Sequence, residues 1–187
     1  MIKVNGLWTD GRVVDMYINR STYICDDVFG HPQFDTEYTA IGNLLHDLKY
    51  NGHVDTSAAI ADNCSNKVQH WLKNAHIDII LPIPPTNERI VQPVFLIAEA
   101  LSDRLKIPYS CEVLKKQGNI QSKNLTDDKQ DLVGTIVQLK PAVRKCNILL
   151  VDDFYSSGST ANECVRVLKK DPLIDDIYFL AIAKTKK

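Results

Sequence analysis

Residues 148–160 read Ile-Leu-Leu-Val-Asp-Asp-Phe-Tyr-Ser-Ser-Gly-Ser-Thr, and this stretch decides the fold. An apolar run without polar alternation is typical of a strand that is buried on both faces. Apolar side chains then recur at helical spacing through Leu168, so a helix is expected to start directly after the turn. The sequence therefore predicts a buried strand that delivers two carboxylates and a hydroxyl-rich turn to the start of a helix.

Two other apolar runs, Ile77–Ile83 and Ile177–Ala183, also lack alternation and predict buried strands. Pro82, Pro84 and Pro85 require the first of them to end there, because proline cannot donate a ladder hydrogen bond. Segments with helical periodicity lie before the first run, near residues 36–51 and 55–72, and after it, near residues 94–105. Strands that alternate with helices predict an α/β fold, with a parallel sheet of about five strands flanked by helices.

The N-terminal part of the chain has a different pattern. Residues 2–29 mix β-branched and aromatic residues with turn signals such as Asp10-Gly11, which predicts a hairpin or short meander. A helix is expected to start near Asp35-Thr36. We therefore expect residues 1–34 to form a small β hood and residues 35–187 to form the main domain.

Composition excludes several classes of protein. The 187-residue chain has a net charge of −1, so no global field attracts nucleic acid or an anionic membrane. Its five cysteines are scattered without C-x-x-C spacing, which argues against a disulfide framework and a cysteine zinc site. No apolar run approaches the roughly 20 residues of a membrane helix, and the first residues lack a signal-peptide core. We expect a cytoplasmic protein.

The turn after the strand predicted at residues 146–151 has the chemistry of a phosphate site. A helix start exposes unpaired N–H groups, and the helix dipole favours an anion there. A glycine allows close approach of the backbone, while adjacent carboxylates would repel phosphate and instead accept hydrogen bonds from sugar hydroxyls. The sequence predicts a phosphorylated sugar held by Asp152, Asp153, Ser156, Ser157, Gly158, Ser159 and Thr160.

The plainer alternative is an ordinary strand, turn and helix. Asp153 and either Ser157 or Ser159 would then only cap the helix. A Walker A loop and a Rossmann fingerprint are both excluded, because the Gly-Lys-Ser/Thr sequence and the glycine pattern that they require are missing.

Residues 148–160 resemble the 5-phosphoribosyl-diphosphate (PRPP) motif of type I phosphoribosyltransferases, in which two acids precede a Thr-Thr-Gly-x-Thr-like loop. The resemblance implies that Asp152 and Asp153 hold the ribose hydroxyls and that Ser156–Thr160 bind the 5-phosphate. It also implies Mg²⁺ between the diphosphate and the ribose oxygens, with Asp152 and Asp153 as protein ligands of the metal.

A second resemblance, to ComF-like phosphoribosyltransferases, covers residues 35–185. It rests on Leu48–Gly52, which read Leu-Lys-Tyr-Asn-Gly, on Leu81–Pro85 and on Arg89 and Gln92. By this analogy the turn from Pro84 to Arg89 would hold the diphosphate. Alternatively, the prolines merely end a strand.

Three lysines are further candidates. Residues 117–130 are polar and could form a lid, from which Lys123 or Lys129 would reach the diphosphate, although either could be a solvated loop charge. Lys49, like Asn43 and Tyr50, could support the site, or it could simply complement the dipole at a helix end.

These patterns lead to one main hypothesis and two alternatives. The main one is a phosphoribosyltransferase that transfers phosphoribose from PRPP to a nucleobase, ammonia or another amine and releases diphosphate. The first alternative is a catalytically silent PRPP- or nucleotide-binding regulator, of the ComF-like kind found in DNA uptake or defence. The second is a structural partner with an empty pocket. A homodimer is compatible with the sequence, which does not define the oligomeric state.

Overall fold

The protein is described from a computed structural model, over residues 1–85, 91–117 and 134–185. It has the predicted α/β fold, in which a largely parallel sheet is flanked by helices. The strands in these ranges are β1 (Ile2–Lys3), β2 (Asp10–Met16), β3 (Ile18–Asp26), β4 (Pro32–Tyr38), β5 (Ile79–Pro82), β6 (Leu114–Lys116), β7 (Ile136–Gln138), β8 (Cys146–Tyr155) and β9 (Ile174–Lys184).

The helices in the same ranges are α1 (Ala40–His46), α2 (Thr56–Trp71), α3 (Pro93–Leu105) and α4 (Ser159–Leu168). A π-helical turn, Asp47–Asn51, continues α1 and ends at Gly52, whose φ of 71° is the left-handed value expected of a helix stop. None of the helices described has both the length and the apolar character needed to cross a bilayer.

The main sheet has the strand order β1-β2-β9-β8-β5 over the described residues. Strands β2, β9, β8 and β5 run parallel, and β1 is antiparallel to β2 at one edge. Two separate antiparallel pairs, β3–β4 and β6–β7, lie outside this sheet. The predicted mainly parallel sheet of about five strands is thus confirmed.

The central strand β8 is buried on both faces, as its apolar run predicted. Leu149 and Val151 pack with α1, α2 and α3, whereas Ile148 and Leu150 pack with α4 on the other face. All four side chains are at most 1% exposed. The alternation carries the strand between two cores, and its last four residues, from Asp152 to Tyr155, are partly buried.

The N-terminal elements differ from the sequence prediction in two places. Residues 2–16 were expected in the hairpin, but β1 and β2 are part of the main sheet, with β2 parallel to β9. The hairpin is formed by β3 and β4 instead. Whether the chain divides into domains at residue 34 stays a prediction.

The helix predicted to start near Asp35-Thr36 starts at Ala40. Asp35 and Thr36 pair across the hairpin with Thr22 and Ser21, so cross-strand pairing overrides their capping tendency. The actual cap is Thr39, whose Oγ1 accepts a hydrogen bond of 3.0 Å from the N–H of Gly42.

Candidate functional site

A pocket of about 270 Å³ opens at the carboxyl ends of β5 and β8. Open α/β sheets bind their ligands at this edge. Of the predicted site residues, Pro84, Asp152, Asp153 and Thr160 line the pocket, together with Lys49. The predicted residues Ser156–Ser159 are not among those that line it. The tertiary structure therefore brings the ends of two neighbouring strands and the first turn of α4 to one cavity.

The two acids approach the pocket from opposite faces of the sheet. Strand alternation places Asp152 with Leu150, on the α4 side, and Asp153 with Val151, on the α1 side. The Asp152 carboxylate accepts a hydrogen bond of 2.9 Å from the N–H of Asp153. Both side chains can thus present oxygens to one ligand at the end of the strand.

Burial raises the pKa of Asp152 to about 7, and the neighbouring carboxylate of Asp153 adds to the rise. The N–H of Asp153, the ammonium of Lys49 and the N–H of Phe154 act in the opposite direction, but they do not offset it. Both dominant effects disfavour a second negative charge in the confined space. Near neutral pH, Asp152 therefore exchanges between its protonated and ionised forms.

Lys49 lies beside the acid pair. Its Nζ is 2.9 Å from Oδ2 of Asp153, and the side chains are 17% and 18% exposed. The same Nζ lies 5.7 Å from the centre of the Phe154 ring. The sequence offered two roles for Lys49, support of the site or a helix end, and the structure brings it into the site.

The turn after β8 leads directly into α4. Gly158 is the N-cap, with a φ of 75° that favours glycine, and Ser159 is the first helical residue. The Oγ atoms of Ser157 and Ser159 are 2.8 Å apart. Ser156 and Ser157 are exposed. The hydroxyl groups and the first helical N–H groups lie on one turn, which is the arrangement that binds a phosphate.

Trp8 packs against this turn next to Gly158, a contact that the sequence did not predict. A Cβ on Gly158 would lie 2.9 Å from the Tyr155 ring and 3.3 Å from Trp8. Trp8 stacks on Phe179 of β9 with ring centres 4.4 Å apart. Next to it, the N–H of Leu7 donates to Oδ1 of Asn162 over 2.8 Å. A lone tryptophan near the N-terminus gave no signal of this contact.

Three of the proposed anion-binding residues lie outside the described ranges. They are Arg89, Lys123 and Lys129. Their roles at the diphosphate remain predictions from the sequence. Pro84, the described residue from the same predicted group, lines the pocket.

Asp152 and Asp153 do not form a good site for a directly bound Mg²⁺. Lys49 pairs with Asp153, so a cation bound directly to Asp153 would lie beside an existing positive charge. Mg²⁺ prefers ionised oxygen ligands in octahedral geometry. No group of three or more His, Cys, Asp or Glu residues that could hold a metal occurs in residues 1–85, 91–117 or 134–185.

The chain is similar to several solved structures. A hypothetical protein from Neisseria gonorrhoeae with bound ppGpp is 19% identical, with a TM-score of 0.47 over 71% of this chain and 69% of that one. Adenine phosphoribosyltransferase from Saccharomyces cerevisiae is 12% identical, with a TM-score of 0.46 over 87% and 83% of the two chains. Hypoxanthine phosphoribosyltransferase from Staphylococcus aureus is 10% identical, with a TM-score of 0.45 over 68% of this chain and 64% of that one.

No family model and no curated protein sequence matches the chain. The function is therefore inferred from the chain's own residues and their arrangement.

Proposed function

We propose that the protein is a phosphoribosyltransferase that binds PRPP and transfers its phosphoribose to a nitrogen acceptor. The observation that carries this proposal is the shared pocket, which Asp152 and Asp153 line together with Thr160 of the first turn of α4. A ribose 5-phosphate has hydroxyls at one end and an anion at the other. These are the two groups that this pair of acids and this turn are suited to bind.

In the proposed complex, the carboxylates accept hydrogen bonds from the two ribose hydroxyls. The N–H groups and hydroxyls at the start of α4 hold the 5-phosphate, with the dipole of α4 favouring its charge. Pro84 lies just after β5 and lines the pocket. Residues 84–89 are proposed from the sequence as the diphosphate site, with Arg89 as its cation. Together these contacts would fix ribose C1 over the pocket and exclude water from it.

The reaction is a displacement at C1. The lone pair of the acceptor nitrogen forms the new bond to C1, the bond from C1 to the diphosphate oxygen breaks, and the diphosphate leaves with that electron pair. The nitrogen then loses a proton to solvent. Mg²⁺ is the expected cofactor, and it would neutralise charge on the leaving diphosphate. The chain's own residues supply orientation and a fixed electrostatic environment.

The remaining parts of the proposal follow from the resemblance. The narrower assignment is to the ComF-like group, and the N-terminal hairpin is proposed as the hood over the acceptor. We further propose that the protein is cytoplasmic and forms a homodimer. The acceptor would be a nucleobase, ammonia or another amine.

The test combines binding with turnover. The protein is incubated with PRPP, Mg²⁺ and a panel of nucleobases, ammonia and amines, while mass spectrometry follows PRPP and a coupled assay follows diphosphate. PRPP should raise the melting temperature, and one acceptor should release diphosphate. Stabilisation without turnover across the panel would support the silent regulator, and the absence of both would show that the proposal is wrong.

A pair of variants ties the result to the site. Asp152→Asn with Asp153→Asn should weaken PRPP binding on the order of 100-fold or more, because each lost charge-assisted hydrogen bond costs roughly 1.5 to 3 kcal/mol. The matched control is Asp103→Asn with Asp175→Asn, which changes two exposed acids that do not line the pocket. Equal binding by both double variants would exclude the acid pair as the ribose site.

A further inference from the structure

The contact between Lys49 and Asp153 gives the proposed site a cation of its own. Lys49 belongs to the π-helical turn, and such turns are frequent at functional sites. In this turn Leu48 stays in the core, while the neighbouring Lys49 reaches the pocket. The ammonium lies 2.9 Å from Oδ2 of Asp153, and both side chains are less than one-fifth exposed.

The position of this ammonium affects what else can bind to Asp153. A divalent cation on Oδ2 would lie next to a positive charge that is already there, and the two would repel each other in a partly buried site. A sugar hydroxyl meets no such obstacle. An ionised carboxylate has about four lone-pair sites, so Asp153 can keep its pair with Lys49 and still accept from a hydroxyl.

We propose that Lys49 is a positioning residue that holds Asp153 ready for a ribose hydroxyl, so that the site binds ribose 5-phosphate without a divalent cation. This inference rests on the proposed function and narrows it. The ligand class becomes phosphorylated pentoses with or without a diphosphate, including nucleoside 5-monophosphates. A metal would be needed only for the diphosphate group, which ribose 5-phosphate lacks.

The test is calorimetric titration of the full chain with ribose 5-phosphate, in buffer with EDTA and in buffer with Mg²⁺. The unaltered protein should bind with the same affinity in both buffers. Lys49→Met should bind between about 10- and 100-fold more weakly, which corresponds to one lost charge-assisted contact. Lys49→Arg should restore most of the affinity in EDTA, because it returns a cation to the same place.

Lys73→Met is the matched control, because Lys73 is an exposed lysine beyond the end of α2. It should bind like the unaltered protein. The inference is wrong if Lys49→Met also binds like the unaltered protein, or if ribose 5-phosphate binds only with Mg²⁺ while PRPP still binds. If neither ligand binds in either buffer, the proposed function itself fails.

A second comparison covers the case in which Lys49→Met does not fold because Asp153 is left unpaired. Asp153→Asn is then compared with the double variant Lys49→Met/Asp153→Asn. If Lys49 acts through Asp153, its removal has no further effect in the Asp153→Asn background, and the two affinities are equal. An additional loss in the double variant would contradict the proposed route.

Discussion

The turn after β8 and the turn between β3 and β4 each contain a glycine with positive φ, and they differ in almost everything around it. Gly158 has a φ of 75° and is crowded by Tyr155 and Trp8, whereas Gly30 has a φ of 80° and a Cβ there would meet no atom within 4 Å. β8 passes between two cores, while the residues of β3 are almost all exposed. Similar backbone angles thus occur in a tightly packed turn and in an open hairpin, and the two turns differ in packing.

The largest expected difference concerns the strand that carries the site. Leu150→Ala should lower the free energy of unfolding by about 2 to 5 kcal/mol, because this fully buried side chain would leave a cavity in the core. Urea denaturation measures the loss. Leu150→Met, which nearly conserves volume, should cost less than about 1.5 kcal/mol. If both variants cost the same, the tight packing of β8 would be in question.

The next effect is a dependence of stability on pH. Since burial raises the pKa of Asp152 in the folded protein to about 7, well above that of an exposed aspartate, the folded protein binds this proton more tightly than the unfolded chain does. The contribution of Asp152 to the free energy of unfolding is therefore fully present at low pH and is lost as the pH rises toward 7. Asp152→Asn removes the titrating group, and with it this decline.

Denaturation at about pH 5.5 and about pH 8 measures the effect. The loss of stability between these values should be greater in the unaltered protein than in Asp152→Asn, by on the order of 2 kcal/mol. Asp35→Asn changes an exposed acid of the hairpin, and it should lose as much stability between these two pH values as the unaltered protein does. A loss that is unchanged in Asp152→Asn would mean that burial does not perturb this carboxyl.

The two glycines allow the most direct comparison. Gly158→Ala and Gly30→Ala should each lower stability by roughly 1 to 2 kcal/mol, because alanine disfavours positive φ. Only Gly158→Ala should also weaken PRPP binding, since its Cβ would push against Tyr155. Thermal shift with and without PRPP separates the two effects. Equal PRPP affinities in the two variants would show that the turn after β8 does not bind the phosphate.

The smallest effect is expected in the hairpin itself. Ile24 is 61% exposed, and Ile24→Ala should change stability by less than about 0.5 kcal/mol. The backbone amides of β3 should also exchange hydrogen faster than those of β8, because few buried contacts oppose their opening. A large loss of stability in Ile24→Ala would indicate that this side chain is covered in solution.

The segment from Ile148 to Leu168 could be predicted because its signals are local. Continuous apolar residues predict burial on both faces, and Gly158 with its neighbouring hydroxyls predicts the turn and the start of α4. The start of α1 was misplaced for the opposite reason. Asp35 and Thr36 have the composition of a cap, but their pairing with β3 depends on a partner strand that a local pattern does not specify.

By itself, the sequence determined the α/β alternation, the acid pair at the end of β8 and the hydroxyl-rich turn, because each follows from the spacing of neighbouring residues. Only the tertiary structure decided that β2 lies beside β9, that Trp8 supports Gly158, and that Lys49 pairs with Asp153. These contacts join residues far apart in the chain. They form only when the two faces of the sheet are packed. Hydrophobic periodicity in the sequence predicts local helices and strands, but it does not predict which distant residues meet.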